Sequence, residues 1–165
     1  PHAACLVPEK RQERTTEGGL DAVALSPALV PYIKQLKQHG IRVSLFILPD
    51  ESQVRAAAAA GAPVVEFHTG PYCDAPSGVH RQHALQRLQD TAALAHSLGL
   101  ECHAGHGLSY ETVEAVASIP FIQELNIGHF LIGDAVFQGL ASSVRQMKAL
   151  IGKAVSTREN VVRNP

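Results

Sequence analysis

The sequence predicts an α/β fold built on parallel strands, and three features carry that prediction. Short apolar runs alternate with longer stretches of helical spacing, the pattern of strands laid side by side and covered by helices. No GxGxxG follows the first run, which weakens a doubly wound dinucleotide-binding sheet. The last run is followed by a glycine, a short extra helix and then a long one, as happens where a barrel builds a phosphate site after its seventh and eighth strands. The expected fold is therefore a (β/α)8 TIM barrel. Only five strands can be counted where a barrel needs eight, so residues 1–165 read as the C-terminal part of a single barrel domain, about its last four and a half βα units. Such a piece would expose two apolar parallel edges and is not expected to fold alone.

The elements follow in order. "ACLVP" (3–7) is a short apolar strand stopped by Pro8, and a polar loop with Gly18 and Gly19 follows it. Residues 26–40 form a helix, with Ser26 as cap, Pro31 expected in the first turn and Gly40 as stop. "RVSLFIL" (42–48) is a strand, 50–62 a helix ending at Gly61, and "PVVEFHTG" (63–70) a strand. A long helix spans about 79–99, and "LECHAG" (100–105) is the next strand. A helix over 109–119 begins at Ser109, with Glu111 nearby. "IQELNIG" (122–128) is the last strand. A short helix lies within 129–139, an amphipathic one covers 140–155, and the polar remainder to Pro165 is expected to fray.

Composition narrows the function classes. A formal net charge of −1 offers no electrostatic footing for nucleic acid. No apolar run approaches the roughly 20 residues that cross a bilayer. "PHAAC" has neither an initiator Met nor a signal-peptide pattern, and reads as the middle of a gene product. Cys5, Cys73 and Cys102 form no CxxC and are an odd number, which fits reduced thiols in the cytoplasm.

In a barrel the chemistry sits at the C-terminal ends of the strands. The first end leads to Lys10, Arg11, Thr15 and Thr16, the third carries Glu66, His68 and Thr69, the fourth His106 and Gly107, and the fifth Asn126, Gly128 and His129. Alternation puts Glu66 and His68 on one face, toward the barrel interior, with Val65 and Phe67 toward the helices. Glu66 is then either a structural ion pair between strands or a carboxylate tuned for chemistry. His103 and His106 have opposite parity. If His106 stands past the strand end as a general acid, His103 is expected to point into the helix layer and serve packing. Gly107 lets backbone N–H groups approach a ligand. Gly128 and a helix starting near His129 suit an anion. A divalent ion held by His68, His106, His129 and Glu66 is the rival reading, although neither HExxH nor CxxC is present.

"CLVPEKRQERTTEGGLD", "VEFHTGPYCDA", "AGHGLSYETV" and "ELNIGHFLIGDAVFQGL", in that order, closely resemble the pyridoxine 5′-phosphate synthase family. The resemblance implies a (β/α)8 barrel, assembled as a homo-octamer in the cytoplasm and needing no metal or organic cofactor. The implied partners are two phosphorylated small molecules, 1-deoxy-D-xylulose 5-phosphate and 3-amino-2-oxopropyl phosphate, condensed to pyridoxine 5′-phosphate with release of phosphate and water. By the same resemblance His106 is the proton donor and Glu66 the carboxylate that stabilises the transition state. Thr15 contacts the deoxyxylulose phosphate, while Gly107, Gly128 and His129 hold the amino ketone phosphate. The family's Asn-x-Asp-His and His-x-Arg-x-Asp strands and a further Glu do not occur in this sequence. The 165-residue chain alone is accordingly expected to be inactive. Two other functions stand beside this one, a metal-dependent barrel lyase or hydrolase and an inactive piece kept for assembly.

Overall fold

Five strands, β1 (Ala3–Leu6), β2 (Arg42–Ile47), β3 (Val64–His68), β4 (Glu101–Gly105) and β5 (Ile122–Asn126), make one sheet in chain order with every neighbouring pair parallel. A doubly wound sheet reverses its strand order at a switch point. This one advances in a single direction, as a barrel wall does, so the α/β fold is that of part of a (β/α)8 barrel. The computed structural model describes residues 1–8, 18–76 and 78–163. Among them β1 and β5 are the sheet's edges, each paired on one side.

The helices are α1 (Ser26–Gln38), α2 (Glu51–Ala59), α3 (Gly70–Cys73), α4 (Val79–Ser97), α5 (Val113–Ala117), α6 (His129–Gln138) and α7 (Leu140–Arg163). Their starts depart from expectation where turn chemistry intervenes. Leu25, not Ser26, occupies the cap of α1, which puts Pro31 inside the helix rather than in its first turn. Asp50 caps α2 by accepting from the Ser52 N–H at 2.9 Å. Residues 109–112 make a turn, with the Thr112 hydroxyl accepting from the Ser109 N–H at 2.9 Å, so α5 starts later than Ser109 suggests. The expected fraying past residue 155 is replaced by helix as far as Arg163. Arg158 ties that end down by donating to the Ile119 carbonyl at 2.9 Å.

The core lies between sheet and helices. Val43, Leu45, Ile47, Val65, Phe67, Cys102 and Ala104 face Leu29, Ile33, Val54, Leu88 and Ala92 in one buried cluster. Each large member contributes about 1.5–3 kcal/mol on burial. The opposite face is polar. Phe46, Glu66, His103 and Glu124 stand side by side in register across β2 to β5. A bulge makes this possible: Cys102 pairs with Ile122, but His103 pairs with Glu124, so Gln123 is skipped. Ile122 and Leu125 thereby both reach the helix side, although they differ in parity.

His103 therefore does not point into the helix layer. It stands beside Glu66 on the interior face and is buried there. Its Nε2 lies 2.7 Å from Glu101 and its Nδ1 3.3 Å from Glu124, and Glu101 also takes Arg42 at 2.8 Å. The parity argument fails at the strand's end. β4 finishes at Gly105, and His106 then adopts φ 73°, outside strand alternation altogether.

Candidate active site

A cleft of about 620 Å³ opens at the C-terminal ends of the strands. Glu66, His106, Gly107, Gly128 and His129 all line it, with Cys5, Phe46, Leu108, Asn126 and Phe130. Three strand ends far apart in sequence thus meet at one place. Thr15 lies outside the described residues, as do Lys10, Arg11 and Thr16.

Glu66 comes from the interior face of β3. Burial pushes its carboxyl above the usual carboxylate range, against the lowering effects of the Cys5 thiol, His103 and Asn126. The Cys5 thiol donates to Glu66 Oε2 at 3.7 Å. Burial also raises that thiol, to about 11, so it remains a protonated donor. Gly105 is the floor beneath the carboxylate. A β-carbon there would lie 2.5 Å from Glu66 Oε1 and 2.9 Å from the Asn126 carbonyl, so only glycine leaves the space free.

His106 reaches the cleft from the loop after β4. Its ring meets His68 edge to face, with centroids 4.7 Å apart, and Phe46 at 6.4 Å. His68 is buried and accepts the Gly70 N–H on Nδ1 at 3.2 Å. Burial first, and the neighbouring His106 second, lower its pKa to about 4. His68 is thus a neutral ring at neutral pH, a fixed wall against which His106 rests. Gly107, at φ 85°, lies against the α3 turn, where its β-position would be 3.3 Å from Cys73.

The third side is the start of α6. Gly128 occupies its cap and His129 its first position, and no side chain caps it. Unpaired N–H groups at such an end attract anions. α6 buries none of its own residues. A polar clasp holds it instead. The Tyr110 hydroxyl is 2.7 Å from Asp134 Oδ2, and the Ser143 hydroxyl donates to the same oxygen at 2.6 Å. The Tyr110 ring meets Phe130 edge to face at 4.7 Å.

Among the described residues no three His, Cys, Asp or Glu side chains group as metal ligands. His68, His106, His129 and Glu66, the side chains of the rival metal reading, do not form such a group among the described residues. Among the same residues no helix is long and apolar enough to cross a membrane. Sequence reasoning missed the Cys5 thiol beside Glu66 and the Tyr110 clasp. Strand parity in "ACLVP" held the signal for the first; nothing local announced the second.

The family described as pyridoxal phosphate biosynthesis protein PdxJ matches residues 1–153. Curated relatives carrying the name pyridoxine 5′-phosphate synthase include one from Rhodospirillum rubrum, 59% identical over 155 residues, which covers 94% of this chain and 62% of the relative. One from Caulobacter vibrioides is 56% identical over 157 residues, covering 93% and 62%. One from Gluconobacter oxydans is 58% identical over 151 residues, covering 92% and 63%. The chain thus spans somewhat less than two thirds of the length of these relatives. An ordered match across the whole sheet and both sides of the cleft places it: the chain belongs to the PdxJ family of pyridoxal phosphate biosynthesis proteins.

Proposed function

We propose that this chain supplies the C-terminal part of a pyridoxine 5′-phosphate synthase barrel, one that condenses 1-deoxy-D-xylulose 5-phosphate with 3-amino-2-oxopropyl phosphate. One observation carries the reading. Glu66, His106, Gly107, Gly128 and His129, the described residues that the family resemblance singles out, line a single cleft. His106 is the proton donor, and Glu66 stabilises charge as the ring closes. Gly107, Gly128 and His129 hold the amino ketone phosphate at the free start of α6. Thr15 is assigned to the other phosphate by resemblance alone. The relatives' name, pyridoxine 5′-phosphate synthase, supports the same product.

The chemistry asks for such a set. Imine formation loses one water, phosphate leaves by elimination and a water adds in its place, and closure of the carbon–carbon bond with loss of two further waters completes the aromatic ring. Each step moves protons, so a donor and a buried carboxyl must sit at the same reacting atoms. Phosphates bound at the rim position the substrates away from those atoms. The homo-octamer and the cytoplasmic setting are the finer expectations that accompany this reading, and the family resemblance supports them.

His106→Ala is the test, made in a polypeptide of the relatives' full length that contains these residues. Formation of pyridoxine 5′-phosphate should fall by about 10²–10⁴-fold. Circular dichroism should stay unchanged. Wild-type turnover in a folded His106→Ala variant would refute the assigned role.

A further inference from the structure

His106 is the one non-glycine residue with positive φ among the described residues, at φ 73°. A side chain there is strained, so something must hold it. The restraint is visible in Thr69, the residue just past β3, which is wholly buried. Its N–H donates to the Gly105 carbonyl at 2.9 Å. Its hydroxyl lies 2.9 Å from that same carbonyl and 2.6 Å from the carbonyl of His106. These two carbonyls belong to the two peptide planes that flank the His106 Cα. Rotation of the first plane is φ of His106, and rotation of the second is ψ. The N–H holds the first plane, and the hydroxyl, whose single proton goes to the nearer His106 carbonyl, holds the second, so both angles are restrained.

The consequence is directional. In an extended conformation His106 would continue the alternation of β4 and, following inward Gly105, would turn toward the helices. In the left-handed conformation its ring enters the cleft against His68. The α3 turn that follows Thr69 supplies the rest of the frame. Gly70 donates to His68, and Gly70 and Cys73 both lie against Gly107.

We propose that Thr69 is a positioning residue for His106, its N–H and its hydroxyl together holding the two peptide planes that aim the imidazole. This rests on the reading of His106 as proton donor.

The test compares Thr69→Val, Thr69→Ala and Thr69→Ser in a polypeptide of the relatives' full length. Two readouts are taken on each folded variant: the cross-relaxation between the His68 and His106 rings by NMR, and kcat and KM separately. Thr69→Val and Thr69→Ala should lose the ring contact. Their kcat should fall by about 100-fold, the scale of a misplaced reacting group, while KM moves little. Thr69→Ser keeps the hydroxyl and should restore both readouts. If Thr69→Val fails to fold, Thr69→Ala and Thr69→Ser decide the matter. A variant without the hydroxyl that keeps the ring contact and wild-type kcat overturns the proposal. So does a Thr69→Ser as impaired as Thr69→Ala, because the methyl group would then be what matters. Loss of the ring contact with unchanged kcat would sustain the positioning and defeat the proton-donor reading instead.

Discussion

The two walls of the cleft are made differently. On the β3–β4 side Glu66, His68, Thr69 and His106 are buried or partly so, each locked by neighbours in the sheet or the α3 turn. On the α6 side His129 is exposed, α6 buries no residue, and Ile132, Val136 and Phe137 stand in solvent. The first wall is held by close packing and desolvation, the second by the Tyr110–Asp134–Ser143 hydrogen bonds, the Tyr110–Phe130 ring contact and packing against α7. The fixed first wall suits the task proposed for it, while the exposure of α6 is that of a chain spanning less than two thirds of its relatives' length. A group that passes protons needs a fixed position, and a phosphate cradle needs N–H groups free to meet an anion.

The comparison breaks hardest at Gly105. In Gly105→Ala the new methyl meets the Glu66 carboxylate and a backbone carbonyl that cannot yield. Overpacking of this kind costs about 1–3 kcal/mol, and displacing the carboxylate should lower turnover by about 100-fold. Steady-state kinetics with thermal melts would check it, and wild-type values for both would show that the β3–β4 wall is softer than described.

His68 sharpens the comparison through pH. Its pKa falls from about 6.5 in the unfolded chain to about 4 in the folded one. Between those values the unfolded chain holds the extra proton, so stability is lost as pH falls through the window. The full loss is about 3 kcal/mol. Melting temperatures from pH 7 to pH 4 should therefore drop more steeply for the wild type than for His68→Gln. Parallel curves would mean that burial does not depress His68.

The α6 wall should respond less. Tyr110→Phe removes the hydroxyl that reaches Asp134 but leaves the ring on Phe130. On the proposed function, and in a polypeptide of the relatives' full length, the expected result is a rise of about fivefold in KM for 3-amino-2-oxopropyl phosphate, with kcat nearly unchanged. A fall in kcat alone would place Tyr110 with the opposite wall. The smallest effect belongs to the exposed Lys153–Glu114 pair, at 3.0 Å. Lys153→Ala should change unfolding free energy by about 0.5 kcal/mol or less, measured by denaturant titration.

How much of this was legible in the sequence depended on the kind of signal. Alternation in "VVEFH" correctly put Glu66 and His68 inside and Phe67 against the helices, because a strand buried on both faces obeys its period of two. The placing of His106 beyond the strand end was right, yet His103 was assigned to the wrong face. Parity counts residues only while the backbone stays extended, and at His106 it turns left-handed. α3 and the shortened α5 escaped notice because local bonds set them, not apolar spacing: the Thr69 carbonyl and the His68 ring accept from the α3 turn, and the Thr112 hydroxyl accepts from Ser109. The reach of α7 to Arg163 was hidden because its anchor, Arg158, bonds to carbonyls about forty positions earlier in the chain.

The bulge between β4 and β5 has a consequence for how this chain can vary in length. Skipping Gln123 is what lets Glu124 and Asn126 share the interior face while Ile122 and Leu125 share the other. Gln123 works like a spacer in a reading frame. Its loss would leave Ile122, Glu124, Leu125 and Asn126 in plain alternation on the faces they hold now, whereas a residue inserted between Glu124 and Leu125 would change the side of every residue on one flank of the insertion. Leu125 would then enter the cleft and Asn126 would leave it, or else Ile122 would abandon the core. A loop can gain or lose residues without such an exchange. In β5, one residue added away from the bulge is a change of chemistry, and one lost at the bulge is not.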